Sequence, residues 1–319
     1  MVVASALCPT MEEVYEGRER LKGIAVRTPL LQLHGSDDIW IKPEVLQPVG
    51  SFKMRGIYNA VAALHPDERA KGVSTVSSGN TAQALSWSAR KFGVTARAIM
   101  PHTAPQNKID ATIAYGGVPD LRDPEEAFQS LLDGSYHNEP DAFIHPAANS
   151  DVLAGHGSIG LEIHEDLPDV QTVYVQVGGG GLSCGIASAI KNLSPGVRVI
   201  GVQPAECTPV IQGVKAGEPV MVKCVTFCDG VAVSFMFPEM YPLMRDLLDD
   251  IITVEEEDVF EALRLLAMKN KIVAEGAGGL SVAAALKANP GERGKTVAII
   301  SGGSIDPDKL ARILVGDTP

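Results

Sequence analysis

Short runs of almost unbroken apolar residues recur along the chain, and each leads into a longer stretch whose apolar positions fall three or four apart. "DIWIKPE" is a β-rich run, and "RGIYNAVAALHPDERAK" after it has helical spacing at Ile57, Val61 and Leu64. "GVSTVSSGN" predicts a strand ending in a polar turn, followed by the helical "TAQALSWSARKFG". "VTARAIM" predicts a strand and "QNKIDATIAYG" a helix, with Gly116 as its C-terminal cap. The alternation continues through "TVYVQV" and "GGGGLSCGIASAIKNL", then "VRVIGVQP" and "CTPVIQGVKAG", and closes on "TVAIISGG". Hydrophobic strands alternating with helices predict parallel sheet covered on both faces, an α/β fold. No repeat, linker or low-complexity stretch marks a boundary, so two domains would have to be joined without a flexible tether. The acidic run "TVEEEDVFEALRLLAMKN" reads as an ordinary helix start, with Thr253 and Glu256 as a capping box and no chemistry of its own.

Composition narrows the class. The chain has 319 residues, 45% hydrophobic and 21% charged, a globular balance with room for one large domain or two ordinary ones. A net charge of −12 with no basic tract argues against a nucleic-acid partner. The apolar runs are too short to span a bilayer, and the first residues lack the basic region of a secretory signal. Cys8, Cys184, Cys207, Cys224 and Cys228 are scattered, and the single C-x3-C pair has no second pair or histidine beside it. A zinc site is therefore not expected, and scattered thiols fit a reducing cytoplasm.

Two stretches carry candidate chemistry. In "VQVGGGGLSCGIASAIK" a hydrophobic strand runs into Gly178, Gly179, Gly180 and Gly181, with a helix from about Leu182. Consecutive glycines let backbone N–H groups converge, and a helix N-terminus adds positive potential, which together suit a phosphate; a plain tight turn is the alternative. The dinucleotide fingerprint fails, because Ser183 and Cys184 stand where a third glycine would fall and the next strand ends in Gln203 rather than an acid. No nucleoside-triphosphate loop is present either, leaving a cofactor with one phosphate. In "PVGSFKMRGIYNA" a single lysine, Lys53, stands among Gly50, Ser51 and Phe52. A lysine amine can form a Schiff base with the aldehyde of pyridoxal phosphate. "SSGNTAQ", a polar turn at a helix N-terminus, suits a carboxylate and the ring hydroxyl, and "SGGS" offers a hydroxyl to the pyridine nitrogen.

In that order these segments resemble the fold type II pyridoxal-phosphate enzymes, specifically the serine/threonine dehydratase and serine racemase branch. "GSFKMRG", "SSGNTAQA", "GGGGL" and "SGG" carry the resemblance, with "QNKIDATIAYGG", "HPAANSDVLAGHGSIGLEI" and "EGAGGLSVAA" between them. It implies an architecture like that of the tryptophan synthase β subunit, two parallel-sheet domains with the cofactor between. Residues 71–148 would form the small domain, and residues 1–70 and 149–319 the large one. It also implies a cytoplasmic homodimer acting on a small amino acid. Lys53 would be the Schiff-base lysine with Phe52 packed beside the ring, and Asn80 would meet the ring hydroxyl. Gly178, Gly179, Gly180, Gly181 and Leu182 would hold the phosphate, and Ser301 would face the pyridine nitrogen. Ser78 matches the serine opposite the lysine in racemising members, and Glu275 opens the segment that closes over the ring. Turn polarity and a helix cap are the plain alternatives for these two.

The implied substrate site comprises Ser77, Ser78, Gly79, Asn80, Thr81 and Gln83 around the carboxylate, with Ala147 and Phe235 near the β-substituent. The implied reaction is loss of water from a β-hydroxy-α-amino acid, giving a 2-oxo acid and ammonia, with racemisation as the rival. Gln203 and Pro209 occupy the positions where family members that bind a divalent ion place carboxylates, so no metal is expected. Ala147 after the His–Pro pair and the apolar run "DGVAVSFMFPEMYP" imply an enlarged apolar pocket that would favour an aryl substrate such as 3-phenylserine. Packing of the domain interface is the alternative reading of that run.

Overall fold

In the computed structural model, which describes residues 5–319, ten strands form two sheets. They are β1 (Leu31–Gln32), β2 (Ile39–Pro43), β3 (Val73–Val76), β4 (Ala96–Pro101), β5 (Val118–Arg122), β6 (Ala142–Phe143), β7 (Thr172–Gln176), β8 (Arg198–Pro204), β9 (Asp250–Val254) and β10 (Thr296–Ile300). The larger sheet has the order β1-β2-β10-β7-β8-β9 and the smaller β5-β4-β3-β6. All neighbours are parallel except the β1–β2 pair. Every residue of β3, β7 and β10 is buried. Unbroken apolar runs are what a strand covered on both faces requires, and the architecture is the expected two-sheet α/β fold.

This topology places the chemistry. In a parallel sheet all carboxyl ends lie along one edge, where ligands bind in open α/β folds. The glycine run follows β7, "SGGS" follows β10, and Ser77 follows β3. The first two loops therefore lie side by side at the centre of the larger sheet.

The structure departs from the sequence reading in three places. The helical run from Arg55 to Lys71 is two helices, Lys53–Ala63 and Pro66–Arg69. Leu64 and His65 are extended (ψ 141° and 140°), as the residue before a proline prefers to be. Thr253 does not cap the acidic helix; it lies in β9, and the helix starts at Glu256 after Glu255. The Glu256 carboxylate instead accepts hydrogen bonds from Thr226 Oγ1 (2.6 Å) and the Phe227 N–H (2.5 Å), holding a distant segment. The thiols, finally, are not all separate: Cys207 and Cys224 form a disulfide, their Cα atoms 4.5 Å apart. Residues 221–235 double back on themselves, Met221 pairing with Phe235, and Cys224 in that segment meets Cys207, which spacing along the chain does not reveal.

Helix Ser150–Asp166 also escaped the periodic reading, because twelve consecutive residues from Val152 to Ile163 are buried and no polar stripe remains. Asn149 caps it, its Oδ1 accepting from the Val152 N–H. Among the described residues no helix is long and apolar enough to cross a membrane.

Candidate active site

Lys53 is the first residue of its helix, and Phe52 before it makes no side-chain cap. The loop is held through its backbone. The Phe52 N–H donates to Ser301 O (2.9 Å), the Gly303 N–H donates to Gly50 O (3.0 Å), and Ser51 pairs with Gly302. Gly50 has φ +70°, a conformation glycine adopts at little cost. The lysine loop and the serine loop are thus one unit. Lys53 Nζ donates to Pro146 O at 3.1 Å and lies 5.3 Å from the Phe52 ring centre. Burial pushes its pKa down to about 8, against the pull of the Glu275 carboxylate. An amine so placed is neutral far more often at neutral pH than a surface lysine, and only the neutral amine is a nucleophile or base.

Helix Gly181–Leu193 begins inside the glycine run. Gly180 O accepts from the Ser183 hydroxyl at 3.1 Å and from the Cys184 N–H at 2.9 Å. The N–H groups of the first turn have no partner within the helix, as at any helix start. A Cβ on Gly179 would stand 2.9 Å from a ring carbon of Phe237 and 3.1 Å from the Ala147 methyl. One on Gly180, at φ +90°, would stand 2.9 Å from Met244 Sδ. Only bare backbone fits here, and the packing behind it leaves the N–H groups as its chemical face. That suits a phosphate.

The third element is the turn after β3. Ser77 Oγ accepts from the Gly79 N–H at 3.1 Å, and Ser77, Ser78, Gly79 and Asn80 are half-buried. Helix Asn80–Phe92 starts there, with Thr81 and Gln83 buried in its first turn. Asn80 Nδ2 donates to Glu275 Oε1 at 2.9 Å, joining the smaller-sheet half to the larger. Glu275 does not cap its own helix, which removes that reading of it. Burial, followed by the charge of Asp229, raises its pKa to about 7, so its carboxyl holds a proton well above the usual range. A Cβ on Gly302 would fall 2.5 Å from Glu275 Oε1 and 3.1 Å from Asn80 Nδ2, so a side chain there would have to displace the Asn80–Glu275 pair. Ser301 is buried beside it.

Two predicted pocket residues have packing partners of their own. Ala147 lies against Gly179 and Gly181, directly behind the glycine loop. Phe235 is buried in an aromatic row, its ring centre 5.1 Å from that of Phe237, which in turn lies 4.8 Å from His145. His145 escaped the sequence reading. Its Nδ1 accepts from the N–H groups of Ala147 (3.1 Å) and Ala148 (2.7 Å), and burial pushes its pKa down to about 3. It is a neutral scaffold for the loop that carries Pro146. The His–Pro pair was the available signal. Gln203 is engaged as well, with Oε1 accepting from the Ile211 N–H (3.1 Å) and Nε2 donating to Val177 O (3.4 Å).

The chain fits a pyridoxal phosphate on these grounds: a desolvated amine, a bare anion loop and a polar turn at neighbouring strand ends. Comparison with known proteins agrees. Residues 22–302 match the family described as pyridoxal-phosphate dependent enzyme. The chain is 39% identical to the L-threonine ammonia-lyase of Thermotoga maritima over 96% of its own length and 78% of that protein's. It is 37% identical to the catabolic L-threonine dehydratase TdcB of Escherichia coli K12, covering 95% of each chain. The structure of maize serine racemase superposes with a TM-score of 0.88 at 28% identity, covering 97% of each chain. Pyridoxal phosphate is the cofactor that the matching family's description names and that the residues of this site fit. Likeness sustained from one end of the alignment to the other, through the lysine and both glycine loops, means that this chain belongs to the pyridoxal-phosphate dependent enzymes of fold type II, in the serine/threonine dehydratase and serine racemase branch.

Proposed function

We propose that this enzyme eliminates water from a β-hydroxy-α-amino acid of the serine/threonine type, with 3-phenylserine as its favoured substrate, and releases a 2-oxo acid and ammonia. The observation that carries the reading is Lys53, whose desolvated amine lies 3.1 Å from Pro146 O beside the bare glycine loop. Pyridoxal phosphate, when bound, draws electron density away from the substrate's Cα. The N–H groups of Gly178 to Leu182 would hold the phosphate, Asn80 and Ser301 would meet the ring's polar edge, and the turn from Ser77 to Gln83 would receive the substrate carboxylate. Neutral Lys53 takes the Cα proton. The electron pair left behind forms the Cα–Cβ double bond as the Cβ–O bond breaks, and the hydroxide leaves as water with the proton that Lys53 took from Cα. The free enamino acid then takes up water and loses ammonia.

What supports the finer substrate preference is the apolar run that supplies Phe235 and Phe237 and the small residue Ala147 after the His–Pro pair, although all three also pack against the glycine loop or one another. Each methylene buried against such a wall contributes about 0.8 kcal/mol. We take residues 71–148 as the small domain, residues 1–70 and 149–319 as the large domain, and a cytoplasmic homodimer as the working assembly. Comparing kcat/KM for serine, threonine, 3-hydroxyaspartate and 3-phenylserine tests the preference. A lead for 3-hydroxyaspartate would end it. Lys53→Ala is expected to lose the cofactor's visible band and essentially all turnover, and near-normal elimination by that variant would remove the lysine assignment.

Racemisation is the second reading, supported by the likeness to the maize racemase and by Ser78 in the half-buried turn. Ser78→Ala should suppress racemisation more than elimination. Equal losses of both activities would dismiss a second proton-transferring group.

A further inference from the structure

Two residues beyond Lys53 lies a cluster of four charged side chains that the reaction does not use. Arg55, Lys42, Glu44 and Glu162 are at most 4% exposed, and two cations face two anions. All three guanidinium nitrogens of Arg55 are engaged. Nε donates to Glu44 Oε2 (2.7 Å), and Nη1 donates to Glu162 Oε1 (2.6 Å) and Ser158 Oγ (3.1 Å). Nη2 donates to Glu44 Oε1 (2.9 Å), Glu162 Oε2 (3.0 Å) and Val26 O (3.0 Å). Lys42 Nζ, on β2, donates to Glu162 Oε2 (2.5 Å) and Thr28 O (2.6 Å).

Stability alone is a poor explanation. Each buried ion costs several kcal/mol of desolvation, and apolar replacements of whole buried clusters are often neutral or stabilising. What the cluster supplies is direction, because planar two-pronged pairs fix orientation where apolar packing permits sliding. Its position makes that direction useful. The helix bearing Lys53 has no side-chain cap, and its front is tied only by backbone bonds to the serine loop. In the same first turn, two residues beyond Lys53, Arg55 binds both the turn after β2 and helix Ser150–Asp166. That helix follows directly on the loop whose Pro146 carbonyl receives the Lys53 amine. Arg55 therefore joins the two backbone segments that set the Lys53–Pro146 distance.

We propose that Arg55 is a positioning residue, whose double carboxylate clamp to Glu44 and Glu162 sets where the Lys53 amine stands relative to the reacting carbon. The inference rests on the lysine reading above. Arg55→Lys keeps the charge and loses the planar fork. In full-length, cofactor-saturated enzyme well below its melting temperature, kcat should fall at least about tenfold, toward the roughly hundredfold cost of a 1 Å misplacement. KM should stay within about twofold, since substrate binding is untouched. The cofactor-free variant should also capture pyridoxal phosphate more slowly, read as growth of the visible band. A lowered Tm with unchanged kcat and capture rate would make the cluster a scaffold only and overturn the proposal. Should Arg55→Lys not fold, Glu162→Gln removes one prong at constant shape, and unchanged kcat and capture there would overturn it equally. Lys53→Ala separates the two claims: if that variant is inactive while Arg55→Lys is normal, only the clamp fails.

Discussion

At the scale of single residues, burial of Lys53 decides the chemistry. Removal from water disfavours the ammonium form, and the lysine titrates near 8 rather than at its ordinary 10.5. The consequence for pH has a definite sign. Below about 8 the amine of the cofactor-free protein is mostly protonated and cannot attack an aldehyde; above it the neutral form prevails. The rate at which cofactor-free enzyme captures pyridoxal phosphate should rise with pH and level off above a midpoint near 8. A stopped-flow series that keeps climbing toward pH 10 would show that the amine is solvated. "GSFKMRG" was enough to single out this lysine, because the signature is contiguous. Its titration was not legible, since Pro146 and Glu275 approach it from 93 and more than 200 residues away in the chain.

At the scale of elements, strands were easier to read than helix ends. β7, β8 and β10 lie where largely apolar runs stand, β3 where Val73 and Val76 flank Ser74 and Thr75, and helix Gly181–Leu193 starts one residue from its expected position. The acidic helix shows where local rules stop. Thr253 and Glu256 have the spacing of a capping box, yet β9 takes Thr253 through its pairing with Gln203 of β8, and Glu256 turns to the segment at Thr226. That segment leads to Asp229–Val231, where Val231 backs Gly178. Glu256→Ala should therefore loosen one wall of the site. The expected loss is about 1–3 kcal/mol for the orphaned donors, with faster hydrogen exchange at the Phe227 amide. Exchange at Phe227 unchanged from wild type would show that the carboxylate is dispensable.

At the scale of the whole molecule, two side chain–side chain hydrogen bonds among the described residues bridge the halves near the site. Asn80–Glu275 lies inside, and Lys108–Asp229 (2.6 Å) lies toward solvent, with side chains 27% and 48% exposed. A pair that exposed contributes less than about 1 kcal/mol to stability. It spans the two halves at their solvent side, so its effect should be kinetic rather than on stability. Lys108→Met should leave Tm nearly unchanged, alter KM, and weaken the salt dependence of kcat/KM, because salt screens such a pair in the wild type. Identical salt profiles for the two proteins would remove any gating role. The Cys207–Cys224 bridge closes a loop of 17 residues, which in chain-entropy terms stabilises by about 3 kcal/mol. Thiol titration of the unfolded, unreduced protein should find three free thiols, Cys8, Cys184 and Cys228, and five after reduction. Five before reduction would show that the pair is a dithiol in the isolated protein.

The sequence by itself determined the α/β class, the lysine, the glycine loop and the polar turn. Each is written in contiguous residues, where strand periodicity, glycine's missing side chain and the order of motifs act locally. Only the tertiary structure decided that Ala147 backs the glycine loop, that Cys207 meets Cys224, that Glu256 holds a distant segment, and that Arg55 lies clamped between Glu44 and Glu162. Those partners come from segments far apart in the chain. A buried charge or a close approach of backbone is settled by what surrounds it in three dimensions, and hydrophobic periodicity records only which side of an element faces inward.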